Sequence, residues 1–321
     1  MRLQFRDLAL VGALLGATAL GATALGSTAA MAKDINIIAV THGQASDPFW
    51  SIVKNGITQA GKDQGVHVEY RAPETFDMVA MGQLIDAATN QQPDGLVISD
   101  PDPDALGPAI KKAVAAGIPV ISMNSGIGAA SKLGILLHVG QDELPAGRIV
   151  GARMKDMGLK NVLCVNQEVG NAALDQRCQG VKEGLAGGKV TVLPTSADPT
   201  ETQSKIRAAL SSDPSIDGVI GLSAPLVGEP AVAAVEALGA QSKVKVGSFD
   251  LSSAFLKDVA DGKAAFAVDQ QPYLQGYLPV TFLAQHAKNG TMPAGNVATG
   301  PSFVTKDNAG QVIDMSAKGI R

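Results

Sequence analysis

Residues 94–126, DGLVISDPDPDALGPAIKKAVAAGIPVISMNSG, read as strand, turn, helix, strand. Leu96-Val97-Ile98 and Pro119-Val120-Ile121 are short apolar runs without alternation, the pattern of parallel strands buried on both faces. Ala105 to Ala116 between them carries helical periodicity. Two strands joined in this way make a right-handed crossover unit, and in an open parallel sheet the ligand sits beyond the carboxyl ends of the strands. Ser99-Asp100-Pro101-Asp102 and Ser122-Met123-Asn124-Ser125 are therefore expected to face a crevice.

The same pattern surrounds this unit. Upstream lie a strand at Asp34 to Val40, a helix starting at Pro48 with Asp47 or Ser46 as N-cap, a strand at Val66 to Tyr70 and a helix at Asp77 to Asn90. Leu136 to Val139 is a further strand, and a helix follows from Pro145 to Met157. The series then starts again. Asn161 to Asn166 is a strand, Ala172 to Leu185 a helix, Val190 to Leu193 a strand, and Thr200 to Leu210 a helix. Asp217 to Ser223 echoes Asp94 to Ser99, and Val244 to Asp250 is the counterpart of Val120 to Asn124. Two similar doubly wound α/β lobes are the simplest reading. The chain crosses between them near 139, 269 and 302, with no long Gly/Ser or Pro linker, so three segments make a hinge. The expected lobes are 33–138 with 271–299, and 139–270 with 300–321.

Residues 1–32 stand apart. Arg2 and Arg6 precede an apolar run that ends in Ala30-Met31-Ala32, a secretory signal with an A-x-A site cleaved after Ala32. Leu8 to Ala32 is long enough to span a membrane, but it is rich in Gly, Ala and Thr and lacks a positively charged stop. Export would place the two cysteines, Cys164 in a strand and Cys178 in the next helix, in an oxidising compartment. A disulfide and two buried thiols both remain open, because the Cβ separation does not follow from spacing.

Composition narrows the partner. Of 321 residues, 45% are hydrophobic and 17% charged, with a formal net charge of -4 and no basic cluster, which argues against nucleic acid or an anionic membrane surface. The four histidines, His42, His67, His138 and His286, show no metal-ligand spacing, so no metal is expected. His67 and His138 read as core residues of strands, whereas His42 lies in the first strand-to-helix loop, within reach of a ligand. Gly126-Ile127-Gly128 lacks the third glycine and an obvious helix start of a dinucleotide loop, and no P-loop or nucleophile elbow is present. No cofactor is expected.

What remains is a set of hydrogen-bonding groups at strand ends: Gln44, Asp47, Asp100, Asn124, Gln141, Asn171, Asp175, Ser223, Asp250 and Gln270. Asp and Asn also serve ordinarily in turns and caps. Together, with Phe49 and Trp50 in the first turn of a helix, they describe a pocket pairing carboxylates and amides with hydroxyls beside an aromatic face. Adjacent helical residues point about 100° apart, so one of the two aromatics is expected in the core and one on the ligand. No nucleophile is placed beside a base; the chemistry is binding rather than catalysis.

Asp47-Pro48-Phe49-Trp50, the DGLVIS unit, the Val120 to Asn124 strand end, Gly247-Ser248-Phe249-Asp250 and Gln270-Gln271-Pro272 together resemble the ribose-binding-protein type of periplasmic binding protein. These are the type I solute receptors of sugar ABC importers, and the resemblance covers residues 34–306. It implies a monomeric periplasmic receptor that closes on a sugar or polyol and serves a membrane permease. By resemblance, Asp47 stands where the pattern has Asn before Pro, and Phe49 and Trp50 where it has stacking aromatics. Asn124 takes the place of a ligand-binding Asp, Asp250 and Gln270 match directly, and Ser223 replaces an Asn. Ser125 and Asp175 stand where arginines are expected, and Pro199 where a third aromatic would be. These departures point away from ribose, to another pentose or hexose, a furanose or a sugar alcohol. Two other classes fit less of the sequence: a receptor for a nucleoside or furanone signal, and an exported glycoside-acting enzyme with Asp47, Asp100 and Asp250 as acid and base.

Overall fold

The computed structural model describes residues 34–43 and 47–321; the leader read over residues 1–32 and the candidate Gln44 lie outside them. Six strands form the first sheet: β1 (Asn36–Val40), β2 (His67–Arg71), β3 (Gly95–Ile98), β4 (Val120–Met123), β5 (Leu137–Gly140) and, from far along the chain, Val297–Ala298. The second sheet takes β6 (Asn161–Asn166), β7 (Lys189–Pro194), β8 (Gly218–Gly221), β9 (Lys245–Phe249) and β10 (Phe266–Asp269). With Val297–Ala298 as β11 and Ser302–Val304 as β12, the orders are β11-β5-β4-β3-β1-β2 and β12-β10-β9-β8-β6-β7. The two lobes therefore repeat one topology, and β12 alone runs antiparallel, against β10.

Helices cover both faces of each sheet, which is why the inner strands are unbroken apolar runs buried at every position. One apolar cluster lies on each face of each sheet. The edge strands differ. β2 and β7 are partly exposed along their length, and the reading of His67 as a core residue fails for this reason: it is exposed on β2, whereas His138 on the inner strand β5 is fully buried.

Helix starts follow local chemistry. Asp47 caps the helix Pro48–Gln64, its Oδ1 accepting from the Phe49 N–H at 2.9 Å, and Pro48 fills the first turn. Asn171 caps Ala172–Leu185 in the same way, accepting from Ala173 N–H at 3.0 Å. Two elements lack a clear signal, Ile127–Leu133, where Gly126 supplies a positive φ and no side-chain cap, and Ala309–Ala317, whereas Ser253–Asp261 carries one, Ser252 Oγ accepting from Phe255 N–H at 3.0 Å and Gly262 in left-handed backbone at its end. A π-helical turn at Ala224–Gly228 also precedes the helix Glu229–Ala237.

Cys164 on β6 and Cys178 on the following helix are joined as a disulfide beneath that helix. The helix also meets Glu143–Asp156 at very short range. A Cβ added to Gly147 would lie 2.3 Å from the Arg177 carbonyl oxygen, and one on Gly180 2.3 Å from that of Leu144, so only glycine permits the approach.

The chain passes between the sheets three times, after Gly140, after Gln270 and between Ala298 and Ser302. These segments pack on one another. Thr299 N–H donates to the Gly140 carbonyl at 3.0 Å, and Gln271 Nε2 donates to the Thr299 carbonyl at 2.7 Å.

Candidate functional site: a cleft between the two sheets

The carboxyl ends of the strands in both sheets converge on one narrow cleft, with a cavity volume of about 30 Å³. From the first lobe come His42, Asp47, Phe49, Trp50, Asn124 and Ser125; the second contributes Gln167, Glu168, Asn171, Leu174, Arg177, Leu222, Asp250 and Gln270. The strand order reverses between β1 and β3, and there His42 follows β1 while Ser99 follows β3. This is the switch point at which open α/β sheets take ligands. Ser99 Oγ accepts the His42 backbone N–H at 2.9 Å and lies 2.7 Å from Nδ1. The hydroxyl proton is then free for Nδ1, which leaves Nε2–H toward Glu168 Oε2, 3.8 Å away. Burial first, and Arg177 second, push the His42 pKa down to about 3, so the ring is a neutral donor.

Seven expected residues meet in this cleft: Asp47, Phe49, Trp50, Asn124, Asn171, Asp250 and Gln270. Both aromatics border it, against the expectation that one would be wholly core. Phe49 and Trp50 pack edge to face with centroids 5.3 Å apart, so each buries one side in the apolar cluster and turns another to the cleft. The loop after β1 makes room for this. A Cβ on Gly43 would sit 2.2 Å from Trp50 Cγ.

Four other expected residues do not line the cleft. Asp100 borders a neighbouring cavity with Asn124 and Glu143. Gln141 is fully buried at a crossing and donates to Glu143 Oε2 at 2.8 Å. Asp175 is turned about 100° from Leu174 around the helix and accepts from Asn166 Nδ2 at 3.0 Å. Ser223 Oγ caps the π-helical turn, accepting from Leu226 N–H.

Sequence reasoning missed Gln167, Glu168 and, above all, Arg177. Arg177 is 3% exposed, binds both carboxylate oxygens of Glu143, and donates to the Leu222 carbonyl at 3.3 Å. The guanidinium also sits 4.9 Å from the centre of the Phe249 ring. A cation therefore does border the cleft, two residues beyond Asp175. The signal lay in the helix itself, since Arg177 falls in the apolar stripe Leu174, Cys178 and Val181.

Gln275 was missed as well. Fully buried on the helix Pro272–Asn289, it accepts from Asn124 Nδ2 at 3.1 Å and donates to the Gln270 carbonyl and Oε1, both at 3.0 Å. Gln270 in turn donates to Asp250. A chain of amides thus runs from one wall of the cleft to the other through the hinge.

Three carboxyls line the cleft, Asp47, Glu168 and Asp250, and burial is the main cause that raises each to about 7. Such groups accept hydrogen bonds from hydroxyls, and each bond made in its charged form is worth about 1.5–3 kcal/mol. Among the described residues no group of three or more His, Cys, Asp or Glu is placed to hold a metal ion.

The fold and this cleft together define a two-lobed α/β binding protein. A family model described as a periplasmic binding protein domain matches residues 38–291, and the chain belongs to that family. It is similar to the xylose/arabinose-binding protein of Sulfolobus acidocaldarius, 26% identical over 291 residues, covering 85% of this chain and 71% of that one. The ribose import binding protein of Salmonella typhimurium is 29% identical over 251 residues, covering 76% and 81%. Among solved structures, a carbohydrate transporter from Acidothermus cellulolyticus in complex with myo-inositol superposes with a TM-score of 0.84. It is 39% identical and covers 90% of this chain and 100% of that one.

Proposed function

We propose that this protein is an exported receptor that closes its two lobes on a sugar or cyclic polyol and presents it to an ABC import permease, without chemical change to the ligand. One observation carries the reading: a cleft lined from both sheets brings two aromatic rings and three buried carboxyls together. Aromatic faces suit the C–H surface of a sugar ring, and carboxylates and amides suit its hydroxyls. A ligand touching both walls favours the closed arrangement by its extra contacts, so binding energy shifts a hinge equilibrium about the three crossings. The similarity to a structure holding myo-inositol supports a polyol within this class. Export with removal of residues 1–32 belongs to the same proposal, and N-terminal mass analysis of the secreted protein checks it.

Isothermal titration against pentoses, hexoses and inositols tests the function. Micromolar or tighter binding by a member of the panel, with an unchanged ligand recovered afterwards, is the expected result. Failure of every member, or turnover of a glycoside by the purified protein, would overturn it.

A further inference from the structure

Gln275 is fully buried and does not line the cleft, yet it holds two residues that do, Asn124 and Gln270. A side-chain amide has an accepting end and a donating end of nearly the same shape, so only its partners fix which way round it lies. At Gln275 the anchor is the backbone carbonyl of Gln270, which can only accept, and Gln275 Nε2 meets it at 3.0 Å. The same nitrogen donates to Gln270 Oε1 at 3.0 Å. With that oxygen held, Gln270 turns its nitrogen to Asp250, whose carboxylate accepts.

The other end of Gln275 acts on the first lobe. Its Oε1 accepts from Asn124 Nδ2 at 3.1 Å, and Ser125 Oγ donates to Asn124 Oδ1 at 2.9 Å. The oxygens of both cleft amides are therefore taken. Each nitrogen gives one N–H to these partners and carries a second.

We propose that Gln275 is a positioning residue for ligand recognition, setting Asn124 and Gln270 to meet the ligand as donors while Asp250 meets it as the acceptor. This rests on the receptor reading above and assigns the polarity of that same site. Without the Gln275 nitrogen, Gln270 is free to turn its oxygen toward Asp250. Two acceptors then face each other, and the ligand finds an acceptor where its hydroxyl oxygen needs a donor.

Two variants of similar volume test it by titration calorimetry against the panel of pentoses, hexoses and inositols: Gln275→Met, with neither donor nor acceptor of this kind, and Gln275→Glu, which accepts where the amide donates. At pH 8 each should bind the tightest panel member of the wild type about tenfold more weakly or worse. The new carboxyl of Gln275→Glu regains a hydrogen to donate once protonated, so the ratio of wild-type to variant affinity should fall between pH 8 and 5.5. Asp47, Glu143, Glu168 and Arg177, which act on Asp250, are common to both proteins, so the ratio isolates position 275. In the ligand-free protein, NMR should show the Gln270 side-chain amide hydrogens exchanging slowly in the wild type and fast in Gln275→Met. Wild-type affinity in both variants, a Gln275→Glu deficit unchanged with pH, or equal exchange would overturn the proposal and leave the receptor reading standing. If no panel member binds the wild type, both fall together.

Discussion

Asn124 and Asp250 occupy the same position in the two lobes. Each directly follows the fourth strand of its sheet, each adopts a positive φ, 62° and 67°, and each donates its backbone N–H to the strand beside it, at Val139 (3.1 Å) and Val268 (2.9 Å). Left-handed backbone is unfavourable for residues with a side chain, and Asn and Asp tolerate it best. Here both side chains leave their strands and line the cleft, Asn124 reaching Gln275 and Asp250 reaching Gln270.

Glycine at these sites separates backbone from side chain. Asp250→Gly relieves the φ penalty and removes a buried carboxyl, so stability in urea should be held or raised by up to about 1 kcal/mol, whereas Asn124→Gly also strands the buried Gln275 Oε1 and should lose about 1–3 kcal/mol. Ligand affinity should fall, by about tenfold or more for Asp250→Gly, as a charged hydrogen-bond partner is lost. Unchanged affinity in titration calorimetry would remove Asp250 from the site.

Glu143 and Arg177 form a pair in which both side chains are nearly inaccessible, 2% and 3%. Replacing Glu143 with Gln leaves a buried guanidinium without its counter-charge, at a cost of about 3–5 kcal/mol. The double variant Glu143→Gln, Arg177→Met should recover part of this in chemical denaturation. Equal losses in the single and double variants would show that the pair is not what holds these helices together.

Proton linkage gives stability an unusual slope. Asp47, Asp100, Glu168 and Asp250 are each raised to about 7, chiefly by burial, so between pH 4 and 7 the folded chain holds protons that the unfolded chain has released. Stability contributed by these groups is present at low pH and lost as pH rises through 7. His42 and His138, lowered to about 3 and about 4, act oppositely below about 6.5. The melting temperature without ligand should therefore rise as pH drops from 8 to 5, because the two histidines offset only half of the four carboxyls below 6.5, at about 2–4 °C per kcal/mol. The ligand-induced increase in melting temperature should be larger at pH 8 than at pH 6, because ionised carboxylates are the better acceptors. A melting temperature rising steadily from pH 6.5 to 8 would contradict this.

The disulfide closes a loop of 14 residues in sequence separation. Loop-closure entropy assigns it about 3 kcal/mol. The paired variant Cys164→Ala, Cys178→Ala should lose about that much in chemical denaturation, and an intact chain treated with reductant should unfold at the same denaturant concentration as the variant.

Much of the architecture was legible because burial on both faces leaves a plain signature. Leu96-Val97-Ile98 and its repeat at Val219-Ile220 mark inner strands, and the repeat implied two lobes of one topology. The site was legible where it follows strand ends, as for Asn124, Asp250 and Gln270. It was illegible where helices carry it. Asp175 read as a strand-end acid, yet helical rotation turns it aside and brings Arg177 inward. Gln275 gave no cue at all. It stands more than a hundred residues from Asn124, and only the folding back of Pro272–Asn289 onto the first sheet makes them neighbours.

That placement of Gln275 has a consequence for how the receptor can diversify. One side chain belonging to the first lobe grips the wall of the second, so a substitution that reshapes either floor of the cleft transmits its error to the opposite one. Changes of preference should therefore accumulate at Asp47, Gln167 and Glu168, outside the amide chain, while Asn124, Gln270 and Gln275 change only together.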